Sequence, residues 1–183
     1  MNLYVVRHGE VPSNKEKIIS GWNNETLTEK GIRQAKEIKE QLENIKFDYV
    51  YSSPVTRAKQ TAEIIMPDMN IIYDPRLAER NPGKMIGKSR DEIDKNEWNS
   101  LTTLTTKDEV ETLLSGLNRT RCFFKDLEAY NDRTLLIITH NFNSKCIWMI
   151  ANGIQDEDEI NSFFHKNDEI KHYTLKQIPK INY

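Results

Sequence analysis

Residues 3–7 (LYVVR) and 134–139 (TLLIIT) are short apolar runs, the first ending in Arg7-His8 and the second running straight into His140. Continuous runs, unlike alternating ones, predict strands covered on both faces, as in the middle of an α/β sheet. Residues 47–52 predict another strand, 70–73 a short one and 169–175 a final edge strand. Between these runs the apolar positions recur at helical spacing. Thr28 suits the N-cap of a helix carrying Ile32, Ala35, Ile38 and Leu42 on one face. Ser53-Pro54 predicts a helix running to about Ile65, with serine at its cap and proline at its first position. Val110, Leu113, Leu114, Leu117, Arg121 and Phe124 mark a long amphipathic helix, and residues 142–151 another. Strand alternating with helix predicts an α/β fold: a three-layer α/β/α sandwich around a central, mostly parallel sheet.

Composition narrows this picture. A length of 183 residues predicts a single domain spanning 1–183. The net charge of −2 does not favour nucleic acid or a membrane surface, so any anion site must be a local cluster of basic groups. The run Asp156 to Glu159 (DEDE) reads as a solvated loop. No stretch is apolar enough for a membrane span, and Met1 leads directly into a strand, which predicts a cytoplasmic protein without a signal peptide. Cys122 and Cys146 lie in helical-looking segments without metal-ligand spacing and are expected to be reduced packing residues. Residues 80–106 are irregular and polar, and they include the threonine-rich LTTLTT; a segment of this kind is often a lid or binding loop.

In an open α/β sheet, ligands bind beyond the carboxyl ends of the strands. Three such ends would bring together Arg7-His8, the stretch from Ser53 to Arg57, and His140. Arginine's planar fork suits phosphate oxygens, and a helix N-terminus nearby would add free N–H groups. A cation such as Arg57 in the first turn of a helix opposes the helix dipole unless an anion lies close by. Imidazole can attack phosphorus and be regenerated by water. A carboxylate is still needed to protonate the leaving alkoxide, and Glu79 or Glu10 could serve. His165 and His172 fall outside these motifs and read as surface or packing residues. Trp22, Trp98 and Trp148 read as packing, with Trp98 also able to close the lid over a substrate.

Five ordered segments carry a resemblance. VRHGEVPSN, GWNNETLTEKGIRQA, YSSPVTRAKQTAEII, LAERNPGKMIGKS and IITHN are similar to the successive motifs of the histidine phosphatase superfamily, branch 1, the phosphoglycerate mutase-like fold. Arg-His-Gly alone would be weak; five motifs in order are specific. The resemblance implies a metal-independent phosphomonoesterase that needs no cofactor and acts on a small phosphorylated metabolite. His8 would take the phosphoryl group, its other ring nitrogen held by a carbonyl near Gly9. Arg7, Arg57 and His140 would hold the phosphoryl oxygens, and Glu79 would be the proton donor. Asn14, Ser20, Gly21, Arg80 and Asn141 would line the phosphate or substrate side, with Arg80 placed to pair with a substrate carboxylate.

The chain also departs from the family pattern. Val11 stands where threonine is usual, Asn141 where glycine is, Lys145 where arginine is common, and Thr112 where a helix-start serine is expected. None of these removes a catalytic group. Two other readings stay open. One is a phosphoglycerate mutase, which returns the phosphoryl group to a second acceptor; the mutases of this family are longer, with an insertion and tail that shield the site, so hydrolysis is favoured. The other is a non-catalytic phospho-ligand-binding module, which would be expected to have lost at least one of these groups. Substrate and oligomeric state are not specified by the sequence.

Overall fold

The computed structural model describes residues 1–94, 98–99, 108–130 and 132–176. The LTTLTT run and much of the expected lid fall outside the described residues. Strands β1 (Asn2–Arg7), β2 (Tyr49–Ser52), β3 (Ile71–Tyr73), β4 (Thr134–Thr139) and β5 (Ile170–Thr174) form one sheet in the order β3-β2-β4-β1-β5. All neighbours are parallel except β5, which pairs antiparallel with β1 at the edge. The helices are α1 (Pro12–Lys15), α2 (Glu29–Leu42), α3 (Thr56–Ile65), α4 (Leu113–Asp126), α5 (Asn141–Asn152) and α6 (Glu157–Ser162).

The continuous apolar runs have the physical cause expected of them. Because successive strand side chains point to opposite faces, Leu3, Val5, Leu135 and Ile137 enter one core with residues of α4 and α5. Val6, Leu136 and Ile138 enter the other with Ala35, Ile38 and Leu42 of α2 and Ala58, Ala62 and Ile65 of α3. The result is a three-layer sandwich with two apolar cores, one on each face of the sheet.

Several local expectations need correcting. The helix placed at Ser53-Pro54 begins at Thr56, and Val55 occupies its cap position; the Ser53 hydroxyl is engaged elsewhere. The loop after β1 contains the single turn α1. Asp156 is not in a loop run: its carboxylate caps α6 by accepting the Glu159 N–H at 3.0 Å. Thr28 does cap α2, accepting the Gly31 N–H, but Ile32 is 37% exposed and stays out of the core. Cys122 is exposed while Cys146 is buried. Trp22 is no packing residue, at 56% exposed. Of the two outlying histidines, His165 is buried and His172 is exposed with its ring against Tyr4.

Sheet register delivers the chemistry to one place. Arg7 pairs with Thr139 and Ser52 with Ile138. The ladders run one step further, His8 N–H donating to the Thr139 carbonyl at 3.0 Å and Ser53 N–H to the Ile138 carbonyl at 2.9 Å. His8, Ser53 and His140 therefore lie one residue past the ends of three adjacent strands.

Two glycines make room for this arrangement. A Cβ on Gly9 would lie 2.4 Å from the Gly31 carbonyl oxygen, and one on Gly31 would lie 2.2 Å from the Glu10 carbonyl oxygen. The loop after His8 thus packs backbone to backbone against the first turn of α2, which no residue with a side chain allows.

Candidate active site

The pocket at these strand ends encloses about 160 Å³, with Arg7, His8, Arg57, Glu79, Arg80 and Arg90 among its walls. Ligand sites for drug-sized molecules usually run from ~300 Å³ upward. This one suits a small group, with the rest of a ligand reaching the open side.

His8 is 1% exposed, and its Nδ1 lies 2.8 Å from its neighbour's carbonyl, Gly9 O. A carbonyl only accepts, so Nδ1 carries the proton and Nε2 keeps the lone pair. Arg57 Nε donates to that Nε2 at 3.1 Å. Burial first, then the charges of Arg57 and Arg7, push the His8 pKa well below that of an ordinary imidazole. At neutral pH the ring is uncharged and nucleophilic.

The two flanking guanidinium groups are held differently. Arg57 is spanned by the 21–23 loop: its Nη2 donates to the Gly21 carbonyl at 2.7 Å. Gly21 has φ +52°, and a Cβ there would lie 2.4 Å from Pro82, so both backbone and space require glycine. Arg7 donates through Nη1 to the His165 carbonyl at 2.7 Å and sits 5.2 Å above the Phe164 ring, while its buried Nε has no partner among the described residues. Burial lowers the Arg7 pKa to about 10, which still leaves it charged. The loop before β5 also reaches His8, whose carbonyl accepts from Asn167 Nδ2 at 2.6 Å. The positions of the first strand's functional residues thus depend on contacts made just ahead of the last strand.

His140 packs beside His8, fully buried, its ring centroid 5.0 Å from that of His8. Its pKa also lies well below the ordinary value, from burial and then from Arg57, so it too is neutral. Its Nε2 is 2.8 Å from Ser53 Oγ, and among the described residues its Nδ1 has no hydrogen-bond partner. The nearest acid is Glu79, whose Oε2 is 4.0 Å from that Nδ1. Glu79 is placed by its backbone neighbours: Oε1 accepts the Arg80 N–H at 2.9 Å, and its carbonyl accepts from Trp22 Nε1 at 2.6 Å. Glu10, the other carboxylate considered as the proton donor, is committed elsewhere. It accepts from Thr28 Oγ1 and Lys30 Nζ, each at 3.0 Å, at the start of α2.

The five residues expected on the substrate side all line the cavity. Asn14 accepts the Val11 N–H at 3.3 Å, and Asn141 accepts the His165 N–H at 2.8 Å. Arg80 is buried rather than solvated, 3% exposed, lying 4.1 Å over the Trp98 ring and 4.8 Å from that of Phe142. Its Nε donates to the Glu111 carbonyl and its Nη1 to the Trp98 carbonyl at 2.7 Å, leaving Nη2 buried without a partner among the described residues. Trp98 therefore does sit by the pocket, as a platform for Arg80.

Arg90 was not singled out by sequence. It reaches the rim because residues 17–19 pair backbone to backbone with 87–90: Ile19 N–H to Lys88 O, Gly87 N–H to Ile19 O and Arg90 N–H to Lys17 O, at 2.8 to 2.9 Å. Among the described residues no carboxylate pairs with its side chain.

These features define a class: an α/β protein with a neutral, carbonyl-oriented imidazole set among guanidinium groups at the ends of its central strands. The chain belongs to the histidine phosphatase superfamily, branch 1, whose sequence profile matches residues 3–177. It is 34% identical over 156 residues to the probable phosphoglycerate mutase GpmB of Escherichia fergusonii, covering 80% of this chain and 73% of that protein. It is 44% identical over 98 residues to the fructose-2,6-bisphosphatase TIGAR of Xenopus laevis, a match that spans 50% of this chain but only 36% of that relative. Among solved structures, a phosphoserine phosphatase of Entamoeba histolytica in complex with 3-phosphoglyceric acid superposes with a TM-score of 0.82 at 25% identity, covering 93% of this chain and 89% of that one. The relatives thus include both phosphatases and mutases.

Proposed function

We propose that this protein is a phosphomonoesterase that acts through a phosphohistidine at His8. The observation that carries this reading is the state of His8: neutral, with Nδ1–H spent on Gly9 O and the Nε2 lone pair turned into a cavity flanked by Arg7 and Arg57. An incoming phosphoryl dianion displaces the Arg57 Nε contact from Nε2. Arg57 and the free Nε of Arg7 then bind its oxygens, and Nε2 attacks phosphorus in line with the ester oxygen. As charge spreads over the phosphoryl oxygens, the guanidinium groups stabilise it. Glu79 gives a proton to the departing alkoxide; its carboxylate then takes one from the water that attacks phospho-His8, releasing phosphate. The arginines supply the positive charge, so this chemistry calls for no metal.

The substrate class follows from the surplus of cations. Arg7 and Arg57 balance a phosphoryl dianion, yet the walls also hold Arg80, whose buried Nη2 has no partner among the described residues, and Arg90. A buried donor without a partner is unfavourable. We therefore assign the substrate a second anionic group, a carboxylate or another phosphate, close to the scissile ester. The relatives named for fructose-2,6-bisphosphate and the phosphoserine phosphatase bound to 3-phosphoglyceric acid are consistent with such a substrate.

The decisive experiment is a turnover screen of phosphomonoesters, sugar bisphosphates and phosphoglycerates in the presence of a chelator, combined with rapid denaturing quench of labelled substrate. The expected result is phosphate release and an acid-labile, base-stable label lost in His8→Ala. Label that persists in that variant overturns the nucleophile. A phosphoryl group passed to a second acceptor, without phosphate release, would replace hydrolysis by the mutase reaction.

A further inference from the structure

Ser53 lies two residues ahead of the α3 cap position, where Val55 stands. Its backbone N–H is fixed on the Ile138 carbonyl at 2.9 Å, in line with the sheet, and its side chain is fully buried. Ser53 Oγ accepts the Val55 N–H at 3.2 Å and lies 2.8 Å from His140 Nε2. On its other side His140 Nδ1 is buried and, among the described residues, without a hydrogen-bond partner; it lies 4.0 Å from the carboxylate of Glu79, which itself lines the pocket.

A neutral imidazole carries one proton, and counting partners decides where it sits. If the proton were on Nε2, it would be donated to Ser53 Oγ. The serine proton would then have no acceptor, and His140 Nδ1 would be a buried lone pair facing no donor. That arrangement leaves two groups unsatisfied. With the proton on Nδ1, the serine hydroxyl donates to Nε2 while accepting from Val55, and every group on that side is paired. Only Nδ1–H is left open, on the side of Glu79, a wall of the cavity in which a phosphoryl group would bind. Buried polar groups left unpaired are costly, so the second arrangement wins.

We propose that Ser53 is a positioning residue which, by donating its hydroxyl proton to His140 Nε2, fixes the His140 tautomer with Nδ1–H aimed at the phosphoryl site. The donor is then in place before substrate arrives, held by a side chain that never touches substrate. The catalytic use of this donor rests on the phosphatase reading above; the tautomer itself does not. A histidine left free to take either tautomer would present a lone pair to an anion for part of the time, and repel it.

The test separates the two claims. Long-range proton–nitrogen correlation NMR on imidazole-labelled protein, with His140 assigned by comparison with His140→Gln, reports which ring nitrogen bears the proton. Wild type is expected to show His140 protonated on Nδ1, both free and with inorganic phosphate bound. A wild-type ring protonated on Nε2 overturns the proposal, whether or not the protein turns over any ester. Ser53→Ala is expected to populate the other tautomer and to lower kcat by about ten- to a hundredfold, the usual effect of losing one hydrogen bond at a buried polar site, with KM changing less. Ser53→Thr, which keeps the hydroxyl, is expected to restore both the tautomer and most of the rate. If Ser53→Ala folds with an unchanged tautomer, or if folded Ser53→Thr loses the tautomer as fully as alanine does, the role given to the hydroxyl is wrong. Should the tautomer follow the hydroxyl while wild type hydrolyses nothing, the phosphatase reading fails and the Ser53 assignment stands.

Discussion

Arg57 Nε lies 3.1 Å from Nε2 of His8, so the lone pair proposed to attack phosphorus is already engaged by a donor. The same contact places a fixed charge beside the ring and helps to keep it unprotonated. Replacing Arg57 with glutamine removes both effects. Losing a charged donor at a phosphoryl site should lower kcat/KM by about a hundred- to a thousandfold. Removing the neighbouring cation should also raise the His8 pKa towards its ordinary ~6.5. A nucleophile must be unprotonated, so the acid limb of the pH–rate profile should move to higher pH. A variant slowed to this extent with an unmoved acid limb would show that Arg57 binds substrate without tuning the nucleophile.

Glu79 can be tested through the leaving group. A sugar or glycerol alkoxide must be protonated as it departs, whereas p-nitrophenolate leaves readily as an anion. Glu79→Gln keeps shape but removes the transferable proton, and general acid catalysis is typically worth about a hundred- to ten-thousandfold. The variant should lose about that factor on alkyl phosphates and much less on p-nitrophenyl phosphate. Glu10→Gln should show no leaving-group dependence, because that carboxylate is bound to Thr28 and Lys30. Equal losses on both substrates would make Glu79 a positioning group.

Arg90 offers a test of substrate class. Arg90→Ala should leave kcat/KM on p-nitrophenyl phosphate within about threefold. On a substrate with a second anionic group it should fall by about ten- to a hundredfold, the scale of one hydrogen bond to a charged group. A uniform loss across both kinds of substrate would mean that Arg90 acts on the transferred phosphoryl group itself.

Acid should weaken the fold before the carboxylates titrate. His8, His140 and His165 are all held neutral by burial, His165 with its pKa lowered to about 4. In the unfolded chain each binds a proton near pH ~6.5. As pH falls below that value the unfolded state takes up protons that the folded state refuses, so stability drops, by up to about 1.4 kcal/mol per pH unit for each histidine. Urea denaturation at about pH 7.5 and about pH 5.5 should show a lower midpoint in acid. An unchanged midpoint would mean that these rings are charged in the folded protein.

The backbone contact between Gly9 and Gly31 predicts sensitivity on a helix face that has no catalytic group. Gly31→Ala would put its methyl 2.2 Å from the Glu10 carbonyl oxygen. Alanine ordinarily favours a helix. Here overpacking should dominate and destabilise the protein by about 1–3 kcal/mol or more, seen as a fall in Tm of several degrees. An unaltered or raised Tm would show that the loop carrying His8 can move away at no cost.

The sequence makes legible those features whose cause is local. Unbroken apolar strands declare both the layers and the strand ends, and so place Arg7, His8 and His140 together before any coordinates are known. What escapes it depends on contacts between distant segments. Arg90 joins the pocket only because residues 17–19 pair with 87–90. Ser53 resembles a helix cap by residue type, but its hydroxyl is claimed by a histidine 87 positions away. Glu10 and Glu79 are alike as carboxylates beside motif residues, and the Lys30 ion pair separates them. Ile32 has the right helical spacing yet looks out at Leu27, Gln60 and Ile64 beside a surface groove, because a periodic pattern gives the direction of a face but not its width.

The grip of the loop before β5 on Arg7 and His8 also has a bearing on how the protein is made. Synthesis runs from the N-terminus, so β1 with its histidine leaves the ribosome before the strands it pairs with. Its sheet partners β4 and β5, the His165 carbonyl that holds Arg7 and the Asn167 amide that holds the His8 carbonyl come more than a hundred residues later. Until they emerge, the nascent chain carries His8 on an apolar strand without its sheet partners. Such a segment is a natural client for a chaperone. Arg7 and the His8 carbonyl gain these two partners only once residues 165 to 167 have emerged, so until then nothing from that loop holds either group.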